Sequence, residues 1–179
     1  MKESRIFGAS VTPDTLKSFL VHNIKLNISN VEHDLPRIPI CVWGERGIGK
    51  TDIVMQLKEE EVVSDIVYLP IAQIEEMGDL LGLPDKRSLE NGRTVTEVAP
   101  PSWVPVQDVP GIILIDDFNR ADIRIIRGIM QLLQKHEMMT WSLPKKYTIV
   151  LTANPEESDQ AYQVTSIDPA MLTRMRHVT

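Results

Sequence analysis

The stretch Gly44-Glu45-Arg46-Gly47-Ile48-Gly49-Lys50-Thr51 decides how the rest of this chain is read. Before it lies Ile40-Cys41-Val42-Trp43, an apolar run that fits a buried strand from Arg37 to Trp43. After it, Asp52 to Glu61 carries Ile53, Val54 and Leu57 at helical spacing. A strand, a glycine-rich turn and a helix, with the spacing G-x-x-x-x-G-K-T, form a phosphate-binding loop. Its glycines let backbone N–H groups turn toward one point, where the helix N-terminus adds partial positive charge. In such a loop Lys50 reaches the β- and γ-phosphates of a nucleoside triphosphate, and the Thr51 hydroxyl ligates Mg²⁺. Gly44 to Thr51, with Asp52 in the first helical turn, are therefore the candidate nucleotide-binding residues.

Outward from this loop, strands and helices alternate. Thr12-Pro13 followed by Leu16, Phe19 and Leu20 opens a helix, with Thr12 as cap and Pro13 at its first position. Asp65 to Leu69 reads as a second strand, and Gly111-Ile112-Ile113-Leu114-Ile115 is too continuously apolar for a half-exposed one. That run fits the centre of a parallel sheet covered on both faces. A helix is expected from Asp122 to about Lys135, then a short hairpin around Ser142-Leu143-Pro144, then a strand from Tyr147 to Leu151. Between Gln73 and Val109 glycines and prolines break the pattern, and Glu90-Asn91-Gly92-Arg93 signals a hairpin. The alternation predicts a three-layer α/β fold.

The bulk numbers fit one globular domain. The chain has 179 residues, is 42% apolar and carries a formal net charge of −6. That acidic balance argues against a surface built for nucleic-acid backbone. No stretch approaches the roughly 18 apolar residues of a membrane span, and Met1-Lys2-Glu3-Ser4-Arg5 leads into no apolar signal core, so a cytoplasmic location is expected. The single Cys41 reads as a small buried hydrophobe. His22, His33, His136 and His177 show no metal-ligand spacing, so no metal beyond Mg²⁺ is assigned.

Three further elements carry chemistry. Ile112-Ile113-Leu114-Ile115-Asp116-Asp117 ends a buried strand in two carboxylates, which is costly unless a cation or donors wait there. Asp116 is the candidate Mg²⁺ residue, directly or through a water, and Asp117 the residue that orients or deprotonates an attacking water. Tyr147 to Pro155 delivers Asn154 at a strand end, where an amide can meet the γ-phosphate or the water; Asn-Pro is equally a turn starter. Asp168-Pro169 opens a short helix that displays Arg174 and Arg176 near its end. Arg120, Arg124 and Arg127 share helical spacing, which suits a solvated face, or else a contact with a neighbouring subunit or nucleic acid. Trp43 reads as core, and Trp103 and Trp141 as buried under loops, with a partner-facing position as the alternative.

The order of these elements resembles the AAA+ ATPases, most closely their MoxR-like branch. Gly44–Thr51 is similar to Walker A. Ile-Ile-Leu-Ile-Asp-Asp-Phe-Asn-Arg-Ala, from Ile112 to Ala121, is similar to Walker B with its trailing Asn-Arg-Ala. Leu151–Pro155 resembles sensor 1, Ile167–Met175 the segment that ends in an arginine finger, and Gly78-Asp79-Leu80-Leu81-Gly82 a stretch found between the two Walker motifs. The resemblance implies a five-stranded parallel sheet of order 5-1-4-3-2, ATP with Mg²⁺, and a homo-oligomeric ring, usually a hexamer. Lys50, Asp117 and Asn154 would act in cis and Arg174 on the neighbour's γ-phosphate. The hairpin-containing insert from Leu83 to Val104, before the Walker B strand, would face substrate. A protein client, or a von Willebrand A-type partner, is implied.

Two departures qualify the resemblance. Asp117 stands where the family usually carries Glu, so its carboxylate falls about 1 Å short, enough to slow attack by a positioned water. The second reading is thus a slow-hydrolysing, nucleotide-dependent switch, and a third is a nucleic-acid-remodelling motor. The resemblance also implies a small helical lid beyond Arg176, whereas the sequence ends at Thr179. Residues 1–179 are expected to be the large nucleotide-binding subdomain without its lid, with weaker nucleotide affinity and ring formation.

Overall fold

The computed structural model describes residues 8–155, 165 and 167–179, so the amino-terminal stretch Met1–Arg5 lies outside the described residues. Helix α1 (Pro13–Glu32) starts as its sequence dictates: Thr12 Oγ1 accepts from the Thr15 N–H at 3.3 Å, and Pro13 occupies the first turn. It is longer than its opening suggested and buries Leu16, Leu20, Asn23, Ile24 and Asn27 along one side. Asn27 gives both halves of its amide to Ile38, donating to its carbonyl and accepting from its N–H, each at 3.0 Å. That clamp fixes the approach to strand β1 (Ile40–Trp43), which leads through the loop into α2 (Lys50–Glu59) and β2 (Asp65–Leu69).

A single helical turn (Ile71–Gln73) and α3 (Met77–Leu81) precede the antiparallel hairpin of β3 (Leu83–Ser88) and β4 (Thr94–Ala99). The hairpin turns through Leu89–Arg93, around the Asn91-Gly92 pair. It stands off the main sheet, β3 being exposed along its length. Thr140 anchors its far strand by accepting from the Val98 N–H at 2.8 Å and donating to the Val98 carbonyl at 3.0 Å. Trp103 and Trp141 meet edge to face with centroids 5.6 Å apart, and their indoles donate to the carbonyls of Asp79, in the middle of α3, and Leu81, at its end. Trp141 is buried and Trp103 half-buried, while Trp43 closes its strand inside the core.

The remaining elements are β5 (Gly111–Ile115), α4 (Ile123–Gly128), α5 (Met130–Lys135), β6 (Glu137–Met138), β7 (Trp141–Ser142), β8 (Tyr147–Ala153), α6 (Pro169–Leu172) and β9 (Arg176–Val178). The main sheet runs β2-β5-β8-β1-β9 with every neighbouring pair parallel. Numbering only these strands along the chain, the order reads 5-1-4-3-2. β1, β5 and β8 are buried at every position, as expected of strands covered on both faces. Their alternation divides the core: Ile40, Val42, Ile112, Leu114 and Val150 pack beneath α1 and α2, while Cys41, Trp43, Ile113, Ile115, Ile149 and Leu151 pack with α4 and α5.

Three local expectations are corrected. The helix from Asp122 to Lys135 breaks at Ile129 into α4 and α5, beside Gly128, where the chain meets α3 so closely that a Cβ would lie 2.7 Å from Met77 Sδ. The second hairpin turns at Met139-Thr140, not at Ser142-Leu143-Pro144. Arg120 belongs to a helical turn (Phe118–Arg120) that ends before α4, so the three arginines share no helical face.

Candidate functional site

Parallel pairing brings the ends of three strands together. Trp43 lies opposite Ala153, and Ile115 opposite Leu151. The chain segments that follow, beginning at Gly44, Asp116 and Asn154, therefore emerge side by side at the carboxyl edge of the sheet, where α/β proteins place ligands. The loop Gly44–Gly49 bridges β1 and α2. Gly47 and Gly49 have φ of 79° and 89°, a left-handed conformation that favours glycine, and a Cβ on Gly47 would meet nothing within 4 Å. At Gly47 backbone conformation, not crowding, makes the demand. Glu45, Arg46 and Ile48 are exposed, as is Asp52 in the first turn of α2.

Lys50 is buried beneath this loop. Its ammonium donates to the carbonyls of Gly44 at 2.8 Å and Glu45 at 2.9 Å, and to Asn154 Oδ1 at 3.1 Å. Burial lowers its pKa, and the charges of Asp117 and Asp116 work in the opposite direction. The Asn154 Nδ2 donates in turn to Asp117 Oδ1 at 2.8 Å. The Asp117 N–H donates to Thr152 Oγ1 at 2.9 Å, and the Thr152 hydroxyl donates to Asp116 Oδ1 at 2.6 Å. Thr51 ends the series with a 2.7 Å bond to the same oxygen. Lys50, Asn154, Asp117, Thr152, Asp116 and Thr51 are thus joined in one chain of five hydrogen bonds whose two ends, Lys50 and Thr51, are neighbours in sequence.

Burial would raise the Asp116 pKa, but hydroxyl donors from Thr152, Thr51 and Tyr68, together with the Lys50 charge, hold it below the ordinary carboxylate value. Asp117 adopts the left-handed conformation, φ 51°, which Asp tolerates better than most residues. Its other oxygen accepts from Arg120 at 2.9 Å in a partly exposed ion pair.

Three contributors lie outside the residues singled out in the sequence. Thr152 links the two carboxylates, and Tyr68 donates to Asp116 Oδ2 at 2.8 Å. Asn119, inside the Asn-Arg-Ala string, grips the Asn154 backbone, donating to its carbonyl at 2.6 Å and accepting from its N–H at 3.1 Å. Asn119 and Thr152 lie inside quoted motifs, but nothing in the sequence marks which hydroxyl meets which carboxylate.

Arg174 does not join this cluster. β9 pairs Arg176 with Ile40, the first residue of β1, so Arg174 lies at the opposite edge of the sheet from the loop. It lines a groove of about 580 Å³ with Arg37 and Lys135, and its guanidinium meets the Gln134 amide when that amide turns its oxygen toward it. Arg176 belongs to β9 and not to the end of α6, and it donates to Asn23 Oδ1 of α1 at 2.6 Å.

The residues present fit a magnesium nucleotide. Among the described residues no group of three or more His, Cys, Asp or Glu could hold a metal ion. One hydroxyl and one carboxylate are what Mg²⁺ takes from a protein when phosphates and water complete its shell. Among the same residues no helix is long and apolar enough to cross a membrane.

No curated protein matches the chain closely enough to count as a relative. A solved structure from Cytophaga hutchinsonii ATCC 33406, which carries the provisional name of ATPase, superimposes with a TM-score of 0.50 at 16% identity. The match covers 93% of this chain and 51% of that one, so this chain spans about half its length, and the likeness speaks for the fold alone. The sequence profile of the AAA domain (dynein-related subfamily) matches residues 39–175, from the approach to β1 to the start of β9. The chain belongs to the dynein-related subfamily of AAA domains, the P-loop nucleotide-binding modules of AAA+ ATPases.

Proposed function

We propose that this chain is the large nucleotide-binding subdomain of a MoxR-like ATPase that binds Mg·ATP, hydrolyses it and uses the cycle to remodel a protein partner. The chain of hydrogen bonds through Lys50, Asn154, Asp117, Thr152, Asp116 and Thr51 is the observation that carries this reading. The loop amides and Lys50 bind the β- and γ-phosphates, displacing the ammonium from the Gly44 and Glu45 carbonyls that it now bonds. Thr51 and Asp116 hold Mg²⁺, which neutralises phosphate charge when bound. The Thr51 hydroxyl can keep donating its proton to Asp116 while its oxygen turns a lone pair to the cation. Asp117 orients the attacking water, and Asn154 joins that carboxylate to Lys50.

Arg174 acts on a neighbouring copy's γ-phosphate, a reading supported by its position at the far edge of the sheet from its own loop. Steady-state ATP hydrolysis measured across protein concentration tests the proposal, with Lys50→Ala and Arg174→Ala alongside. Specific activity rises with concentration and both variants lose it. Activity independent of concentration, or intact in Arg174→Ala, removes the trans arginine.

One observation favours slow turnover. Both Asp117 oxygens are engaged, one by Asn154 at 2.8 Å and one by Arg120 at 2.9 Å, and the side chain is a methylene shorter than Glu. If the domain is a switch, labelled ATP binds while hydrolysis stays at background, and Asp117→Glu raises the rate.

A further inference from the structure

Asp116 divides its two oxygens between different surroundings. Oδ1 faces the loop and the sheet and accepts from Thr51 at 2.7 Å and Thr152 at 2.6 Å. Oδ2 faces β2 and accepts from the Tyr68 hydroxyl at 2.8 Å. Main-chain pairing fixes this approach: Tyr68 lies opposite Leu114 in β5, and the Asp116 N–H donates to the Leu69 carbonyl at 3.0 Å. The ring of Tyr68 is therefore carried by the strand beside the one that ends in Asp116. Its hydroxyl reaches across that boundary to a single atom.

Core packing does not explain this bond. Tyr68 is 46% exposed, on the outermost strand of the sheet, and a phenol there satisfies its hydroxyl with water as readily as with protein. The consequence falls on the carboxylate. With two donors on Oδ1 and none on Oδ2, the Asp116 carboxylate could tilt about its Cβ–Cγ bond and change the angle at which Oδ1 meets Thr51. A third donor on Oδ2, from the Tyr68 phenol, limits that tilt and keeps the carboxylate plane aligned with the Thr51 hydroxyl. Held so, the Thr51 oxygen presents its lone pairs away from Asp116, toward the space in front of the loop. All three donors are neutral hydroxyls, so no direct ion pair occupies the carboxylate, although the Lys50 charge acts on it from nearby.

We propose that Tyr68 is a positioning residue for the divalent cation, acting through Asp116 to set the orientation in which Thr51 and Asp116 bind it. The proposal rests on the reading of those two residues as the cation's protein ligands. Groups that orient metal ligands typically carry 10- to 100-fold in metal affinity. Because water can replace a half-exposed phenol, the lower end is expected here.

The test is Mn²⁺ binding to the ADP complex, followed by the EPR signal of free Mn²⁺, in the wild type and in Tyr68→Phe. ADP affinity in EDTA and the urea midpoint are measured in parallel. The expected result is about tenfold weaker Mn²⁺ binding in Tyr68→Phe, with metal-free ADP affinity and urea midpoint unchanged. Equal Mn²⁺ affinity in the two proteins overturns the proposal. So does a variant that loses metal-free ADP affinity as much as Mn²⁺ affinity, since the damage is then general. A wild-type ADP complex that takes up no Mn²⁺ fails earlier and differently: it removes Thr51 and Asp116 as ligands, and the role of Tyr68 with them.

Discussion

Asn119→Ala removes two hydrogen bonds from the buried backbone of one residue, Asn154, and the structure allows its effect to be worked out. The side chain donates to the Asn154 carbonyl at 2.6 Å and accepts from the Asn154 N–H at 3.1 Å. Asn119 is 1% exposed and Asn154 6%, so water does not reach these groups in the folded protein. A buried backbone group left without a partner costs about 1–3 kcal/mol, and two of them about 2–6 kcal/mol. A water entering the vacated space restores part of this. A loss of about 3 kcal/mol is expected, measured by urea unfolding of wild type and variant under one set of conditions. Asn119→Asp separates this cause from simple loss of volume. It keeps an oxygen for the N–H but sets a carboxylate against the Asn154 carbonyl, so its deficit grows as pH rises from about 4 to about 8. The deficit of Asn119→Ala stays flat over that range. A loss below about 0.5 kcal/mol in Asn119→Ala refutes the reasoning, because the Asn154 backbone is then satisfied by other means.

Other substitutions probe the fold and site separately. His136 is buried, its Nε2 has no hydrogen-bond partner among the described residues, and burial, followed by the Arg37 charge, lowers its pKa to about 3. Below about pH 6.5 the unfolded chain binds a proton that the folded one refuses, so stability falls with pH toward 3 by about 1.4 kcal/mol per unit from this group. His136→Asn, which tolerates the left-handed backbone there, flattens the slope of urea stability between pH 6 and 4.5; an unchanged slope rules this histidine out. Thr152→Val keeps the shape but strips the Asp117 N–H of its acceptor and Asp116 of its shortest donor, and urea unfolding should show about 2 kcal/mol lost. Asp116's lowered pKa contributes stability above its unfolded value and loses it as pH falls, so the deficit of this variant narrows on acidification. Gly82→Ala places a Cβ 1.9 Å from the Ala99 carbonyl oxygen at φ 95°, a clash with backbone that cannot turn aside. More than about 2 kcal/mol is lost, and protease cleavage within Leu89–Arg93 accelerates if the base of the hairpin has opened.

Some features of this protein needed only neighbouring residues, and for these the sequence sufficed. Gly44 to Thr51 is contiguous because a phosphate cradle is made by one turn of backbone, and the apolar runs of β1 and β5 follow from burial on both faces. The Thr12 cap with Pro13, and Asn91-Gly92 in its hairpin, were legible for the same local reason. Where packing intervened, local signals misled: α4 ends at Gly128 because α3 comes close, and Arg120 turns back to Asp117 instead of joining a helical face. The tertiary structure alone decided the partners. Tyr68 and Asp116 are 48 positions apart, Thr152 and Asp116 36, Asn119 and Asn154 35. Parallel strands are joined through helices and long connections, so residues that meet at the sheet's carboxyl edge are far apart along the chain. Hydrogen bonding is directional over about 3 Å, so strand register, not composition, determines which hydroxyl reaches which carboxylate.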